Sequence, residues 1–391
     1  MIVVAGKNNI AVHALEVLVG KLGAENVAVV PNEDDSGVDG HQRSLVKSAK
    51  HLNVTVTTLS EVQANKNLLC FIALEYDKLV KPGKFNTERL YNIHFSYLPK
   101  YKGMYTSFWP IYHGDNSSGV TLHKIDSGID TGDIVGQLKF KINSQDRCSD
   151  LYENYIKYAI ILFDQYVEQL IGTNLIGKSQ ATFGSTYYSK NSINYSNVEI
   201  GLNVTAWQLQ RLVYGYSFRP FQLPVLFGRK ITDVTITSEK SSFRPGEILD
   251  ESEGSMLIST VDYNAVLHFD NLDEIIEKVE TAPLQWIKSN IHNIAGINDR
   301  NSKGWSLIIV AAYFGRIDVV KYLISLGANV NDTNYKGTTV LMYAKDYSLR
   351  SKDVTLFKLL LNRGSDVALK DYSGKQLVDY LNCEERQFLG I

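Results

Sequence analysis

Short apolar runs alternate with helix-spaced apolar positions through the first half of the chain. Ile2–Ala5, Val27–Val30, Val54–Leu59 and Leu68–Leu74 are runs of strand length, and Val12–Leu22 carries its apolar residues at helical spacing. This alternation predicts a mostly parallel sheet covered by helices, because a parallel crossover needs a helix to return the chain. Ligands of such sheets bind beyond the carboxyl ends of the strands, so chemistry belongs on the loops that follow the apolar runs. Arg89–His94 is read as a further strand. Between Ser149 and Gly172, the residues Leu151, Tyr155, Tyr158, Ile161, Leu162, Tyr166 and Leu170 recur at three and four. That is one face of a long amphipathic helix, ended by Gly172-Thr173-Asn174. Thr182–Asn197, rich in Ser, Tyr and Asn, is read as a linker or irregular crossing. Ala206–Lys288 combines a helical stretch, Ala206–Tyr214, with strand-like runs at Val234–Ile236 and Ala265–Phe269, the pattern of a small mixed or β module. The expected divisions are 1–182, 183–290 and 291–391.

The last division repeats itself. Lys303-Gly304-Trp305-Ser306-Leu307 returns as Lys336-Gly337-Thr338-Thr339-Val340 after 33 residues, and Ser373-Gly374-Lys375 follows 37 residues later. The stretch Ala311–Asn331 resembles the ankyrin consensus, and Leu359–Val367 repeats its second half. A period of 33 is the ankyrin period, and extra residues near Tyr347–Lys352 account for the longer second interval. An array this short has little stacked core, so it is expected to dock against the preceding module. Trp305 occupies a variable turn position with no obvious core duty. It is assigned either to a ligand or partner surface, a second nucleotide site being one form, or to packing against the middle module.

Composition narrows the class. Hydrophobic residues make up 44% and charged residues 21%, which suits a globular protein with ample apolar surface to bury. Forty basic residues against 42 acidic ones leave no positive field for a nucleic acid polymer. Cys70, Cys148 and Cys383 are too few and too far apart for a disulfide framework or a thiolate metal site. The histidines form no H-E-x-x-H spacing, so no metal is expected. No stretch approaches the ~20 apolar residues of a membrane span, and no basic leader opens the chain, so a cytoplasmic protein without membrane contact is expected.

The candidate chemistry lies in two stretches, Asn92-Ile93-His94-Phe95-Ser96-Tyr97-Leu98-Pro99-Lys100-Tyr101-Lys102-Gly103 and Gly119–Ile134. On a strand the period of two puts Asn92 and His94 on one face, near the carboxyl end. An amide there can donate to an oxyanion and an imidazole can move a proton near neutral pH, two of the roles acyl transfer requires. Asp130, in a glycine-bounded turn, is the candidate carboxylate to complete the set. A calcium loop at Asp126 fails, because Gly128 and Gln137 stand where ligands are needed. Neither a G-x-G-x-x-G fingerprint nor a P-loop is present.

In order and spacing, these stretches resemble the folate-dependent formyltransferases over roughly residues 1–172. Tyr97 stands where the family commonly has Leu, and Tyr101-Lys102 replaces an Arg-containing pair. The resemblance implies a Rossmann-like α/β core, 10-formyltetrahydrofolate as donor, and Asn92, His94 and Asp130 as the catalytic trio. It also implies that loops matching Tyr76, Asp77, Lys78, Leu79 and Asp126, Ser127 hold the pterin, and that the enzyme is a homodimer. The run Tyr214–Pro224 is similar to the segment that precedes the β module in sugar N-formyltransferases. Tyr216, Phe218 or Phe221 is then expected to stack on a nucleobase, and Arg219 to meet a pyrophosphate. An aromatic–proline packing interface is the competing reading. Joined to ankyrin repeats, this core resembles enzymes acting on dTDP-linked amino-dideoxy sugars of bacterial surface polysaccharides, with dTDP-3-amino-3,6-dideoxyglucose favoured. Two alternatives stand beside it: a methionyl-tRNA formyltransferase, and an ankyrin interaction scaffold with an inactive enzyme-like half.

Overall fold

The computed structural model describes the whole chain except Asn197, at the end of the expected linker, and Pro220, in the aromatic–proline run. The described residues gather into two compact units, Met1–Glu199 with Tyr214–Tyr216, and Ile200–Val213 with Ser217–Ile391.

In the first unit the strands are β1 (Ile2–Gly6), β2 (Val27–Pro31), β3 (Thr55–Val56), β4 (Cys70–Leu74), β5 (Leu90–His94), β6 (Lys102–Gly103), β7 (Ser117–Lys124), β8 (Ile134–Lys141) and β9 (Tyr187–Tyr188). Seven of them form one sheet in the order β3-β2-β1-β4-β5-β7-β8, parallel through β5 and antiparallel for the last two. β1 and β4 are buried at every position, as a strand covered on both faces must be. Strand order reverses beside β1, which puts the crevice of a Rossmann-like fold at the ends of β1 and β4. Gly6 ends β1 at φ 145°, where a Cβ would lie 1.8 Å from the Leu74 carbonyl oxygen, so only glycine lets the two strand ends approach. Helix α1 (Asn8–Leu22) follows β1. Two short helices, α2 (Leu45–His51) and α3 (Leu59–Ala64), were not visible in the apolar pattern; α3 starts on a Thr58/Glu61 capping box. After the one-turn α4 (Trp109–His113), the long helix appears as α5 (Cys148–Gly172), burying Leu151, Tyr155, Leu162 and Leu170.

The second unit opens on α6 (Ala206–Tyr216), whose last three residues belong to the first. A five-stranded antiparallel sheet follows, built from β10 (Val225–Leu226), β11 (Arg229–Lys240), β12 (Ile248–Glu251), β13 (Ser255–Ile258) and β14 (Tyr263–Phe269) in the order β10-β11-β14-β13-β12. Helices α7 (Leu272–Lys278) and α8 (Leu284–Asn290) lead to the repeats: α9 (Leu307–Tyr313) with α10 (Ile317–Ser325), α11 (Val340–Ser351) with α12 (Thr355–Asn362), and a closing α13 (Cys383–Leu389). One apolar cluster runs from Leu272, Ile275 and Ile287 through Leu307, Val320, Leu341 and Phe357 to Leu389, so the short array shares its core with the helices before it.

The repeated Lys-Gly signature has a local cause. The Asn301 side-chain oxygen Oδ1 accepts from the backbone N–H groups of Lys303 (3.0 Å) and Trp305 (3.1 Å). Asn334 accepts likewise from Lys336 and Thr338, and Asp371 from Ser373 and Lys375. Each of these turns then passes through a left-handed glycine: Gly304, Gly337 and Gly374, at φ 82°, 77° and 83°.

Candidate active site

Antiparallel pairing of β5 with β7 sets Asn92 opposite His123 and His94 opposite Thr121, so four polar side chains meet at the rim of the sheet. After β7 the chain makes a tight turn and returns, with Lys124 N–H donating to the Asp133 carbonyl at 2.9 Å. Asp130 sits in that turn at φ 53°. Gly132 follows it where a Cβ would lie 1.8 Å from the Lys124 carbonyl oxygen. The Asp126 carboxylate organises the turn from within, accepting from Gly128 N–H (3.0 Å) and the Thr131 hydroxyl (2.7 Å), while Ser127 is exposed.

The sequence-predicted trio is assembled. Asp130 Oδ2 accepts from Gly103 N–H at 2.9 Å and lies 3.5 Å from His94 Nδ1. Asp130 Oδ1 lies 3.4 Å from Asn92 Nδ2 and 3.5 Å from His123 Nε2. The His94 side chain is 9% exposed and that of Asp130 12%, so the cluster is open only at its edge. Burial opposes charge on Asp130, but the His94 and His123 rings, when they carry a proton on the nitrogen facing it, and the Gly103 N–H outweigh it and hold the carboxyl well below the usual carboxylate range. His94 Nε2 donates to the Tyr101 carbonyl at 2.8 Å, since a carbonyl can only accept. The neutral ring therefore carries its lone pair on Nδ1, the atom facing Asp130. His123 Nδ1 donates to the Lys124 carbonyl at 2.7 Å, which leaves Nε2 to accept from Asn92 Nδ2 at 3.1 Å. His123 thus fixes the Asn92 amide.

The loop after β4 is anchored by Asn32, whose Nδ2 donates to the Glu75 carbonyl at 2.9 Å and whose Oδ1 accepts from Asp77 N–H at 3.3 Å. Lys78 pairs with Glu33 at 2.9 Å, and Leu79 is exposed. Tyr76 packs edge-on against Phe71, and its buried hydroxyl has no hydrogen-bond partner among the described residues. Tyr76 and Ile125 both rest on the cluster of Val3, Ala28, Phe71 and Ala73, so the loops after β4 and β7 share one apolar floor. Sequence reasoning missed the residue beneath the first loop. Glu75, at φ 56°, accepts from Asn8 Nδ2 (3.1 Å) and the Tyr152 hydroxyl (3.0 Å), and burial pushes its carboxyl up to about 7. Its partners lie 67 and 77 residues away, so no local motif announces it.

The residues expected to hold a sugar nucleotide fall in both units. Tyr216, in the first, packs on Phe108 (4.8 Å between ring centres) and Tyr195 (6.0 Å). In the second, Phe218 and Phe221 meet edge-to-face at 5.1 Å, with Phe221 largely exposed. Arg219, expected at a pyrophosphate, gives its guanidinium to Asp270 (2.5 Å) and Asp299 (3.2 Å) with its side chain only 10% exposed. An unforeseen aromatic group adjoins β6, where Trp109 stacks on Tyr188 at 3.8 Å beside Tyr101 and His113. Nearby, Lys102, Thr131, Asp133, Gln180, Thr182 and Ser185 line a cavity of about 380 Å³. In the repeats, Trp305 lies 5.4 Å from Tyr343 and, with Tyr313, Phe314, Lys303 and Glu277, lines a cavity of about 550 Å³. Among the described residues no group of three or more His, Cys, Asp or Glu is placed to hold a metal ion, and no helix is long and apolar enough to cross a membrane.

A sheet-rim amide, imidazole and carboxylate around one point are the equipment of an acyl-transferring enzyme. Residues 1–163 match the formyl transferase family, and residues 279–371 match ankyrin repeats in three copies. The N-formyltransferase from Helicobacter canadensis, solved with folinic acid and dTDP-3-aminofucose, is 38% identical, with TM-score 0.63, covering 69% of this chain and 99% of that one. WlaRD, a sugar 3N-formyl transferase, is 36% identical at TM-score 0.63, covering 69% and 97%. The methionyl-tRNA formyltransferase of Clostridium tetani is 24% identical over 275 residues, 67% of this chain and 88% of that one. The chain belongs to the formyl transferase family and, within it, to the sugar N-formyltransferases, with ankyrin repeats at its C-terminal end.

Proposed function

We propose that this enzyme transfers a formyl group from 10-formyltetrahydrofolate to the amine of a dTDP-linked amino-dideoxy sugar, dTDP-3-amino-3,6-dideoxyglucose being the favoured acceptor. The observation that carries the reading is the convergence of Asn92, His94 and Asp130 at the rim of the sheet. The two similar structures, one with a dTDP-3-amino sugar and one named for 3N transfer, support the choice of acceptor. The apolar floor under the loops, the unpartnered Tyr76 hydroxyl and the exposed Leu79 fit a flat, polar-edged ring system such as a pterin. Tyr76–Leu79 with Asp126 and Ser127 are the residues to hold it.

The folate supplies an activated formyl group; the chain supplies orientation and proton handling. The loosely held N–H of Asn92, 3.4 Å from Asp130, is the donor free to turn to an oxyanion. His94 Nδ1 takes the proton released by the attacking amine, and Asp130 faces the imidazolium so formed. Tyr216, Phe218 or Phe221 is proposed to stack on the nucleobase, contributing ~1–3 kcal/mol. The carboxylates on Arg219 favour a bracing role for that residue over contact with a pyrophosphate. We place the enzyme in the cytoplasm as a homodimer serving surface-polysaccharide (O-antigen, lipopolysaccharide) synthesis.

Incubation with 10-formyltetrahydrofolate and a panel of dTDP- and UDP-amino sugars tests the reading. One formyl group gained on the 3-amino dTDP sugar, read by mass spectrometry, is the expected result. Formylation of charged methionyl-tRNA instead would move the assignment to the transfer-RNA enzyme, and a wild-type enzyme inert with every acceptor would leave the scaffold. The cavity beside Trp305 favours a ligand surface in the array as well. Trp305→Ala is expected to remove one class of dTDP-sugar sites by calorimetry, and unchanged stoichiometry would exclude a nucleotide there.

A further inference from the structure

We propose that Gln180, in the segment that follows α5, is a positioning residue for Asp130, and that this segment is a strap holding both halves of the catalytic pair. The inference rests on the reading of Asp130 and His94 given above.

The strap begins where Lys178 exchanges two backbone hydrogen bonds with Ile134, each 2.8 Å, extending the sheet alongside the start of β8. Ser179 Oγ then donates to Asp133 Oδ1 at 3.1 Å. Next, Gln180 Nε2 donates both its protons into the catalytic turn, one to the Asp130 carbonyl and one to the Gly132 carbonyl, each at 2.8 Å. Farther on, Thr186 engages the other half. Its Oγ1 accepts from Tyr101 N–H at 2.7 Å, its carbonyl accepts from Lys102 N–H at 2.9 Å, and β9 pairs with β6. Tyr101 is the residue whose carbonyl fixes His94 Nε2, and Gly103 the one whose N–H fixes Asp130 Oδ2. A single stretch of chain therefore sets the position of the imidazole from one side and of the carboxylate from the other.

The turn needs such support. Asp130 is a non-glycine residue in the left-handed region, a conformation that persists only where its surroundings hold it. The turn has little room to relax, because Gly132 is already pressed against the Lys124 carbonyl. Its own side chains cannot supply the restraint: Asp126 is spent on Gly128 and Thr131. Gln180 touches no reacting atom and acts only through Asp130.

Displacement of a catalytic group by about 1 Å costs on the order of 10²-fold in rate. Gln180→Leu, which keeps the size and removes both donors, is therefore expected to lower kcat by about 10- to 100-fold while KM for folate and sugar changes by less than about 2-fold. The titratable groups facing Asp130 are His94 and His123, from β5 and β7. As the carboxylate drifts away, the imidazolium formed on His94 loses the charge that faces it, so the acid limb of the pH–kcat profile should move to lower pH. Hydrogen exchange at the Gly103 amide should quicken, and this readout is independent of any acceptor. A folded Gln180→Leu protein with wild-type kcat and acid limb overturns the proposal. So does a lowered thermal midpoint with an unmoved acid limb, which marks a purely structural contact. Should the wild type formylate no amino sugar, the functional reading fails, and Gly103 exchange alone decides: faster exchange upholds the strap, unchanged exchange overturns it. If Gln180→Leu does not fold, Thr186→Val, which releases only Tyr101 N–H, is measured in the same way, with the same outcomes deciding.

Discussion

The turn that carries Asp130 and the turns that open the ankyrin repeats use similar parts to opposite ends. Both place an Asp or Asn side chain beside a nearby glycine. In the repeats, Asn301, Asn334 and Asp371 spend their side-chain oxygens on backbone N–H groups two and four residues on. The turn is satisfied by itself, so it can be copied along the chain. Asp126 plays a similar part in the turn that carries Asp130, accepting from Gly128 N–H and the Thr131 hydroxyl, but Asp130 does not. Its carboxylate is met by Gly103, His94, His123 and Asn92, and its backbone by Gln180, from 7 to 50 residues away. A self-satisfied carboxylate is a structural part. One whose charge is balanced only by distant groups near an opening remains available for chemistry.

The widest split between the two kinds of turn should follow from His94→Ala. Loss of a general base typically costs about 10²–10⁴ in rate, so kcat should fall by roughly 10³ with unfolding unaffected. A fall in thermal midpoint that accounts for the lost activity would make His94 structural. Arg219→Ala tests the second unit. Removing one partner from a buried ion-pair group costs about 3–5 kcal/mol, because the Asp270 and Asp299 carboxylates lose the guanidinium that balances their charge. Denaturant unfolding should register that loss. A stable Arg219→Ala enzyme with a sharply raised KM for the sugar nucleotide would return Arg219 to the pyrophosphate.

The same distinction explains what the sequence disclosed. Strand and helix alternation, the long α5 and the 33-residue period are local patterns, and each was legible. Asn92 and His94 were legible from strand periodicity and Asp130 from its glycine-bounded turn, and a resemblance in order and spacing joined the three. Glu75, the Trp109–Tyr188 stack and the strap at Gln180 were not, because their partners are distant in the chain and their own surroundings are unremarkable as sequence. Thr182–Asn197 was read as a linker from its Ser, Tyr and Asn content. Within that stretch Thr186 accepts from Tyr101 N–H through its hydroxyl and from Lys102 N–H through its carbonyl, contacts that composition does not announce.

Glu75 yields a pH-dependent prediction with a definite sign. Its carboxyl titrates near 7 when folded, above its ordinary value of 4.5, so the folded state binds the proton more tightly. The contribution to stability is complete below about 4.5 and is lost as pH rises through about 7. At 1.36 kcal/mol per pKa unit the loss is roughly 3 kcal/mol. Glu75→Gln, permanently neutral, should gain stability over wild type at pH 8 and converge with it at pH 5, as read by urea unfolding. Asp130 acts with the opposite sign, its contribution vanishing as pH falls below the ordinary carboxylate range, so the two windows are separable. Parallel wild-type and Glu75→Gln curves across pH 5–8 would dismiss the buried carboxyl.

The smallest effect belongs to the self-contained turn. Asn334 Oδ1 holds Lys336 N–H at 2.8 Å and Thr338 N–H at 3.0 Å, and Nδ2 reaches the Tyr343 hydroxyl at 2.8 Å. The turn is half-exposed, so water replaces much of what Asn334→Ala removes, and the expected cost is about 1–2 kcal/mol with kcat unchanged. Asp371 performs the same backbone duty with a carboxylate. Asn334→Asp should therefore recover the turn while still lacking the donor to Tyr343, leaving a deficit smaller than that of the alanine variant. If aspartate proves as damaging as alanine, the Tyr343 contact, and not the turn, is what Asn334 is for, and the likeness among the three turns is one of sequence only.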